Sequence, residues 1–262
     1  MPFSQWILMT YPSYAICIAI IVIAVAFGIC GVLIVRRYVD RSKLKSHHDI
    51  AGPLFATLGV IYAVLLGFST IILWQQFEDA NITLNKEANY YADIYRDMNG
   101  LSPEFREKGE AAMDEYIKAV INEEWKVIGY GKRSEKVQAL AARIWELYSS
   151  YQPQTETQKI FLAESVRKMN EAGEMRRQRL MDANNGLNPV LWLVLIMGGC
   201  ITISFTFFFG SDNLTLQLVM TTLLSALIGL LLFTILAMDH PYSGDVSVKP
   251  DALIQMLSYI KD

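Results

Sequence analysis

The stretch that decides the fold is PLFATLGVIYAVLLGFSTIILWQQFEDANITLNKEANYYADIYRDM, residues 53–98. Residues 53–74 carry no charged side chain, and a hydrocarbon core about 30 Å thick needs roughly 20 apolar residues in a helix. Residues 75–98 are polar but contain neither Pro nor Gly, and their apolar side chains recur at three- and four-residue steps. The pattern therefore predicts a transmembrane helix that continues without a break into an extramembrane helix.

Three further uncharged runs lie on either side of this stretch, at about residues 14–35, 189–209 and 215–238. Charged residues make up 19% of the chain, below the roughly 25% of soluble proteins, and the deficit is concentrated in the four runs. We predict an all-α multi-pass membrane protein. Residues 1–74 form a first transmembrane pair, 75–188 a helical-bundle domain inserted between the second and third spans, and 189–262 a second pair with a C-terminal tail.

The inserted domain carries clear helix start and stop signals. Its first helix should end at Asn99-Gly100, and Ser102 followed by Pro103 predicts the next N-terminus. That second helix should run to about residue 128, where glycines at 129 and 131 break it. A third helix should begin near Ser134, and Thr155 with Gln158 forms a capping box for a fourth that lasts to about residue 184.

The charges that flank the spans give conflicting orientations. The loop between the first two spans is rich in basic residues, and the positive-inside rule then places this loop in the cytoplasm and the helical domain outside. Its basic residues are Arg36, Arg37, Arg41, Lys43 and Lys45. Arginines shortly before the third span favour the opposite orientation; they are Arg176, Arg177 and Arg179. We weigh the first loop most and expect the domain outside.

Several function classes find no support in the sequence. The four runs contain no ionisable side chain of the kind that proton relays and coupled transporters use. We find no phosphate-binding glycine loop, zinc helix or nucleophile elbow, so we expect neither an enzyme nor a catalytic, cofactor or metal site. The net charge of −3 gives no basic footprint for nucleic acid.

Two polar motifs have alternative interpretations. The pair His47-His48 with Asp49 is either a solvated loop or part of a metal site, although adjacent histidines alone rarely complete one. The segment after the fourth span, Asp239-His240-Pro241-Tyr242-Ser243-Gly244-Asp245, is either a polar helix exit with turns at Pro241 and Gly244 or a cation site. We favour the structural interpretation for both.

Small residues repeat every four positions along the second span, at Gly59, Ala63 and Gly67. Such stripes let helix backbones approach closely. Shorter pairs occur in the other spans, namely Ala24 with Gly28, Gly198 with Thr202, and Ser225 with Gly229. We predict that these residues pack helices together, either inside one subunit or between subunits.

Parts of the chain resemble a bacterial bestrophin-like membrane protein family of unknown function. The resemblance rests on Gly59 to Phe68, Trp74 to Phe77, Asn85 to Asn89 with Tyr95-Arg96, and Asp239 to Gly244. It implies a bacterial plasma membrane protein. The more distant bestrophins are pentameric anion channels whose second of four spans lines the pore with an apolar neck. They keep the helical domain in the cytoplasm, opposite to the orientation that the basic loop predicts.

Two functional hypotheses follow. In the first, a homo-oligomer, with a pentamer as the implied number, conducts inorganic ions across the lipid bilayer. One face of the second span then lines the pore, with Phe68 at the constriction and Tyr62, Leu66, Ser69 and Leu73 beside it. Ordinary bundle packing is the alternative interpretation of these residues. In the second hypothesis, the chain is a non-enzymatic binding or sensory module that acts through its helical domain and a partner protein.

Overall fold

The structure, a computed structural model, describes residues 2–39, 48–209 and 213–261. Every regular element within these ranges is helical. The α-helices are α1 (Phe3–Thr10), α2 (Ser13–Tyr38), α3 (His48–Met98), α4 (Pro103–Ala119), α5 (Trp125–Ile128), α6 (Glu135–Ser150), α7 (Glu156–Asp182), α8 (Pro189–Phe205), α9 (Leu214–Met238) and α10 (Asp251–Lys261). A π-helix, Val120–Glu124, joins α4 to α5, and a 3-10 turn, Thr206–Phe208, follows α8.

The predicted fold class is confirmed. Four helices are long and apolar enough to cross a membrane, and they coincide with the four predicted runs. The second of them is the first part of α3, which continues to Met98 as predicted from the lack of Pro and Gly in residues 75–98. The polar part of α3 needs no N-cap of its own, because its backbone hydrogen bonds continue those of the transmembrane part before it.

The predicted helix starts are confirmed by their caps. The hydroxyl oxygens of Ser102, Ser134 and Thr155 accept hydrogen bonds from the backbone N–H three residues later, at 3.3, 3.4 and 3.1 Å. Gln158 departs from the expected capping box in one respect. Its side chain accepts from the Gln154 backbone N–H at 2.7 Å, one residue before the cap. The extra bond fixes the turn after Pro153.

Three elements have no counterpart in the sequence predictions. Helices α1 and α10 lie at the two ends of the chain, and the π-helix interrupts the long helix that was expected from 103 to about 128. A π-helix closes its hydrogen bonds over five residues and so adds one residue to a turn. Glu124 is the last residue of the π-helix and is fully buried.

The chain divides into two compact units. The helical unit comprises Met1–Met9, Gln76–Asn185 and His240–Asp262, and the membrane unit comprises Thr10–Gln75 and Gly186–Asp239. Both chain ends therefore belong to the helical unit, whereas the sequence-based boundaries placed them with the transmembrane pairs. The core of the helical unit is built from apolar side chains of α3, α4, α6 and α7, with Tyr242, Val248, Leu253 and Met256 added from the C-terminal segment.

Small residues hold the membrane unit together. A Cβ on Gly28 of α2 would lie 2.6 Å from the Ser225 Oγ of α9, and one on Gly229 would lie 3.1 Å from the Ile21 Cα. Gly198 and Gly199 of α8 similarly make room for the ring of Tyr62. The prediction that small residues pack these spans is thus confirmed for α2, α8 and α9 within one subunit.

Candidate functional site

Four of the five predicted pore residues lie inside the membrane unit. Tyr62, Leu66 and Leu73 are buried in its apolar core together with Leu195 and Ile228. The Tyr62 hydroxyl donates to the Leu195 backbone oxygen at 3.0 Å. Ser69 is also buried, and its hydroxyl donates to the Leu65 backbone oxygen at 2.9 Å, one turn earlier. In this conformation these side chains pack α3 against its own subunit.

Phe68 has the opposite environment, since 64% of its surface is exposed. A side chain that lines a pore between subunits must face away from the core of its own subunit. Phe68 meets this condition, and Tyr62, Leu66, Ser69 and Leu73 do not meet it here. Pore lining by these five residues stays a prediction, and Phe68 is the member of the set that lies on the exposed side of α3.

The stripe of small residues also lies on the exposed side of α3. Ala63 and Gly67 are exposed and Gly59 is half-buried. A Cβ on Gly59 or Gly67 would meet no described atom within 4 Å. These glycines thus differ from Gly28 and Gly229, which are closely packed within the subunit. The predicted roles were packing inside one subunit and packing between subunits, and this placement is compatible with packing between subunits.

The polar exit of the fourth span is held by hydrogen bonds. Within the membrane unit, the Asp239 carboxylate accepts from the Leu187 backbone N–H at 2.6 Å and from the Trp192 indole N–H at 3.2 Å. Leu187 lies just before α8, and Trp192 lies in its first turn. Asp239 thus ties the start of the third span to the end of the fourth.

The next residues of this motif belong to the helical unit. His240 Nε2 lies 3.0 Å from the Ser4 hydroxyl, and the Tyr242 hydroxyl donates to the Ala80 backbone oxygen at 3.2 Å. Ser243 donates to the Gly129 backbone oxygen at 2.8 Å. Gly244 has φ +78°, a conformation that favours glycine. These contacts describe a turn that joins distant segments of the unit, in line with the structural interpretation.

Metal ligands do not gather in the described part of the chain, where no group of three or more His, Cys, Asp or Glu side chains could hold an ion. The His47-His48-Asp49 motif cannot be assigned on this basis. His47 lies outside the described residues, and the side chains of His48 and Asp49 are not described either.

The helical unit contains a buried ionic cluster that the sequence analysis did not identify. Arg179 is completely buried, and its guanidinium donates to Glu87 Oε2 and Oε1 at 2.7 and 3.0 Å and to Glu124 Oε1 at 3.1 Å. Arg176 donates through Nε to Glu124 Oε1 at 3.1 Å and through Nη2 to the other oxygen. The two carboxylates and the two guanidinium groups balance in charge, which lowers the free-energy cost of burying them.

Aromatic side chains surround this ionic cluster. The Arg179 guanidinium carbon lies 4.9 Å from the centre of the Trp125 ring, a cation–π distance. The Tyr91 hydroxyl donates to Glu87 at 2.9 Å and lies 3.0 Å from the Tyr116 hydroxyl. Burial would raise the pKa of Glu124, but the bonds from Arg176 and the charge of Arg179 outweigh it and hold that pKa below its usual value.

A cavity of about 590 Å³ opens beside the cluster. Tyr91, Tyr116 and Arg176 form part of its wall, so the cavity and the ionic cluster share side chains. Its other polar lining comes from Arg133, Gln138 and Arg177. The rest is apolar and comes from Ile94, Met113, Ala141, Ala142, Ile144, Trp145, Met169, Ala172, Gly173 and Leu180.

Residues 22–253 match the family profile of the Bestrophin-like domain, which is nearly the whole chain. The chain belongs to the bestrophin-like family. No curated protein matches it. This bestrophin-like protein is similar in fold to two variants of a bacterial bestrophin homologue from Klebsiella pneumoniae, with TM-scores of 0.68 and 0.65 at 11% and 13% identity. The first match covers 92% of this chain and 99% of the other, and the second covers 94% and 99%.

A third solved structure, described as a membrane protein, matches with a TM-score of 0.67 at 12% identity over 93% of this chain and 96% of that one. At such identities the likeness establishes the fold. The bestrophin-like protein therefore shares its helix order and packing with bestrophin homologues, and its functional residues have to be argued from its own side chains.

Some residues of the cluster could have been found from the sequence. Glu87 lies on the same helical face as Leu84 and Tyr91, so its charge interrupts an apolar stripe. Arg176 and Arg179 are likewise one turn apart on the face of Ala172. Charges on an apolar face are a signal of buried pairing. Glu124 gives the same signal, since it lies four residues after Val120 and seven after Ile117, both of which are buried.

Proposed function

We propose that this bestrophin-like protein is an oligomeric ion channel in which the second span lines a pore around the symmetry axis. The observation that carries the proposal is the family match over residues 22–253, together with the bestrophin fold across the chain. Bestrophins are pentameric channels, and we propose the same subunit number here. The bacterial plasma membrane is the proposed location.

The exposed side of the second span supports this arrangement. Gly67 and Phe68 are neighbours in sequence, so they point about 100° apart around the helix. The stripe of Gly59, Ala63 and Gly67 is flat and open, as a contact with an adjacent subunit requires. Phe68 then faces the axis, where a ring of exposed phenylalanines forms an apolar constriction. Such a ring opposes ion passage because it repels water.

Selectivity must come from outside this apolar stretch. Glu78 and Asp79, both exposed, follow the second span and favour cations at that end of the pore. The bestrophin resemblance implies anions instead. The proposal therefore includes conduction of either cations or anions, and a flux measurement with Cl⁻, Na⁺ and K⁺ assigns the charge of the conducted ion.

The test is ion flux into liposomes that contain the purified oligomer. Phe68→Ala should raise the flux above that of the wild type, because a smaller side chain widens the ring and lowers the cost of wetting it. Phe208→Ala is the matched control, since Phe208 is also an exposed phenylalanine but lies at the end of the third span, not on the second. It should leave the flux unchanged. An intact oligomer that passes none of the three ions above empty liposomes would remove the channel proposal.

A second candidate function is a non-enzymatic binding or sensory module that acts through the helical unit. The observation that favours it is the cavity beside the ionic cluster, whose volume lies within the range of small-molecule sites. Ligand binding without any ion flux would select this function over the channel.

A further inference from the structure

The cavity of the helical unit differs in charge from two other surface cavities of the same unit. One of those is lined by Arg106, Glu107, Glu110 and Asp114, and the other by Lys108, Glu115, Arg143 and Glu146. Each therefore contains both signs. The cavity of about 590 Å³ is lined by three arginines and, among the described residues, by no carboxylate. Its electrostatic potential should favour a negative group.

The three arginines are not equivalent. Arg176 is bound to Glu124 in the ionic cluster, so its charge is largely balanced. Arg133 and Arg177 are exposed at the cavity, and neither forms an ion pair with a carboxylate of the described residues. Their guanidinium groups can each present two parallel N–H donors to a carboxylate.

The remaining wall suits an apolar body. Ile94, Met113 and Ile144 are buried core residues that face the cavity, and Ala141 with Gly173 keeps it open. The neighbouring phenols stay neutral at physiological pH, because burial raises the pKa of Tyr116 to about 12 although Arg176 opposes the shift. The Tyr91 hydroxyl donates its proton to Glu87, so besides the arginines the wall offers a ligand apolar contact and the Gln138 amide.

We propose that this cavity binds a small organic acid, with its acidic group at Arg133 and Arg177 and its apolar body against Ile94, Met113 and Ile144. The proposal deepens the binding-module candidate by naming a ligand class. It does not depend on ion conduction, which the liposome flux assay measures separately.

The probe is 4-phenylbutyrate, a water-soluble acid with an apolar body, titrated by calorimetry into the full-length protein in phosphatidylcholine nanodiscs. The neutral amide 4-phenylbutanamide and empty nanodiscs serve as blanks. We expect saturable binding of the acid. The amide should bind with an affinity at least about tenfold lower, since charged hydrogen bonds supply that much discrimination. Equal binding of acid and amide would overturn the proposal, as would no binding of either.

Two variants test the location. Arg133→Gln with Arg177→Gln should weaken 4-phenylbutyrate binding about tenfold or more, and Arg143→Gln, a charge loss at a different cavity, should not. Gly173→Leu places a large side chain in the cavity and should abolish binding. The substitution should be tolerated, because a Cβ there meets no described atom closer than 3.5 Å. Leucine also favours the helix over glycine, so misfolding is not the expected cause. Wild-type affinity in both variants would place the site elsewhere.

The acidic group could also belong to a lipid. Titration in nanodiscs that contain phosphatidylglycerol separates the two sources. Weaker binding of 4-phenylbutyrate there, together with no such effect in the Arg133→Gln, Arg177→Gln protein, would identify a lipid competitor for the same arginines. Unchanged binding supports a free acid.

Discussion

At the scale of single residues, Arg179 decides the stability of the helical unit. Its guanidinium is fully buried between Glu87 and Glu124, and Arg179→Leu would leave two buried carboxylates with the charge of Arg176 alone. Breaking a buried ion pair by removing one partner costs about 3–5 kcal/mol. We expect Arg179→Leu to lower the thermal unfolding midpoint, followed by intrinsic tryptophan fluorescence, by many degrees.

The matched control for Arg179→Leu is Arg167→Leu. Arg167 pairs with Glu164 and Glu171 on the exposed side of α7, where water screens the charges, so little change is expected. The pH dependence gives a second check. The pKa of Glu124 is depressed in the folded state, so its contribution to stability is present above about 4.5 and is lost as the pH falls through the folded value. Equal midpoints for the two variants at pH 7 would contradict the role of Arg179.

At the scale of one element, the exposed stripe of α3 should form a contact between subunits. Gly67→Leu places a large side chain where helix backbones would otherwise touch, and we expect it to dissociate the oligomer on native gels in mild detergent. Ala26→Leu adds a similar bulk to an exposed position of α2 and should leave the oligomer intact. If both variants migrate like the wild type, the stripe does not hold subunits together.

At the scale of the whole molecule, the charges that flank the spans predict the orientation in the membrane. Arg176, Arg177 and Arg179 favoured a cytoplasmic domain in the sequence. Arg176 and Arg179 are bound to buried glutamates and have a structural reason for their positions, which leaves Arg177 as the opposing charge. The basic loop of residues 36–45 then carries the clearest orientation signal. We predict that this loop is cytoplasmic and that the helical domain is outside.

Thiol labelling of intact cells checks this orientation. In a background without Cys17, Cys30 and Cys200, Ala139→Cys should react with an impermeant maleimide in intact cells, because Ala139 is exposed on α6 of the helical unit. Ser46→Cys, in the basic loop, should react only after the membrane is permeabilised. The reverse pattern would place the domain in the cytoplasm, as in bestrophins.

The sequence by itself determined the features that depend on local chemistry. The four spans follow from uncharged runs of sufficient length, and the helix starts at Ser102, Ser134 and Thr155 follow from side chains that bond their own backbone. The continuation of α3 beyond the second span follows from the lack of Pro and Gly in residues 75–98. All of these signals depend on residues close together in the sequence, so a short stretch of sequence is enough to detect them.

The tertiary structure decided which side chains face each other. Phe68 and Leu66 are both apolar residues of the same span, yet one is exposed and the other packs on α8 and α9, since that choice depends on where the partner helices lie. The ionic cluster joins Glu87, Glu124 and Arg179 across as many as 92 positions. Burial of these charges is favourable only when all partners meet with the correct geometry, and no short stretch of sequence encodes that meeting.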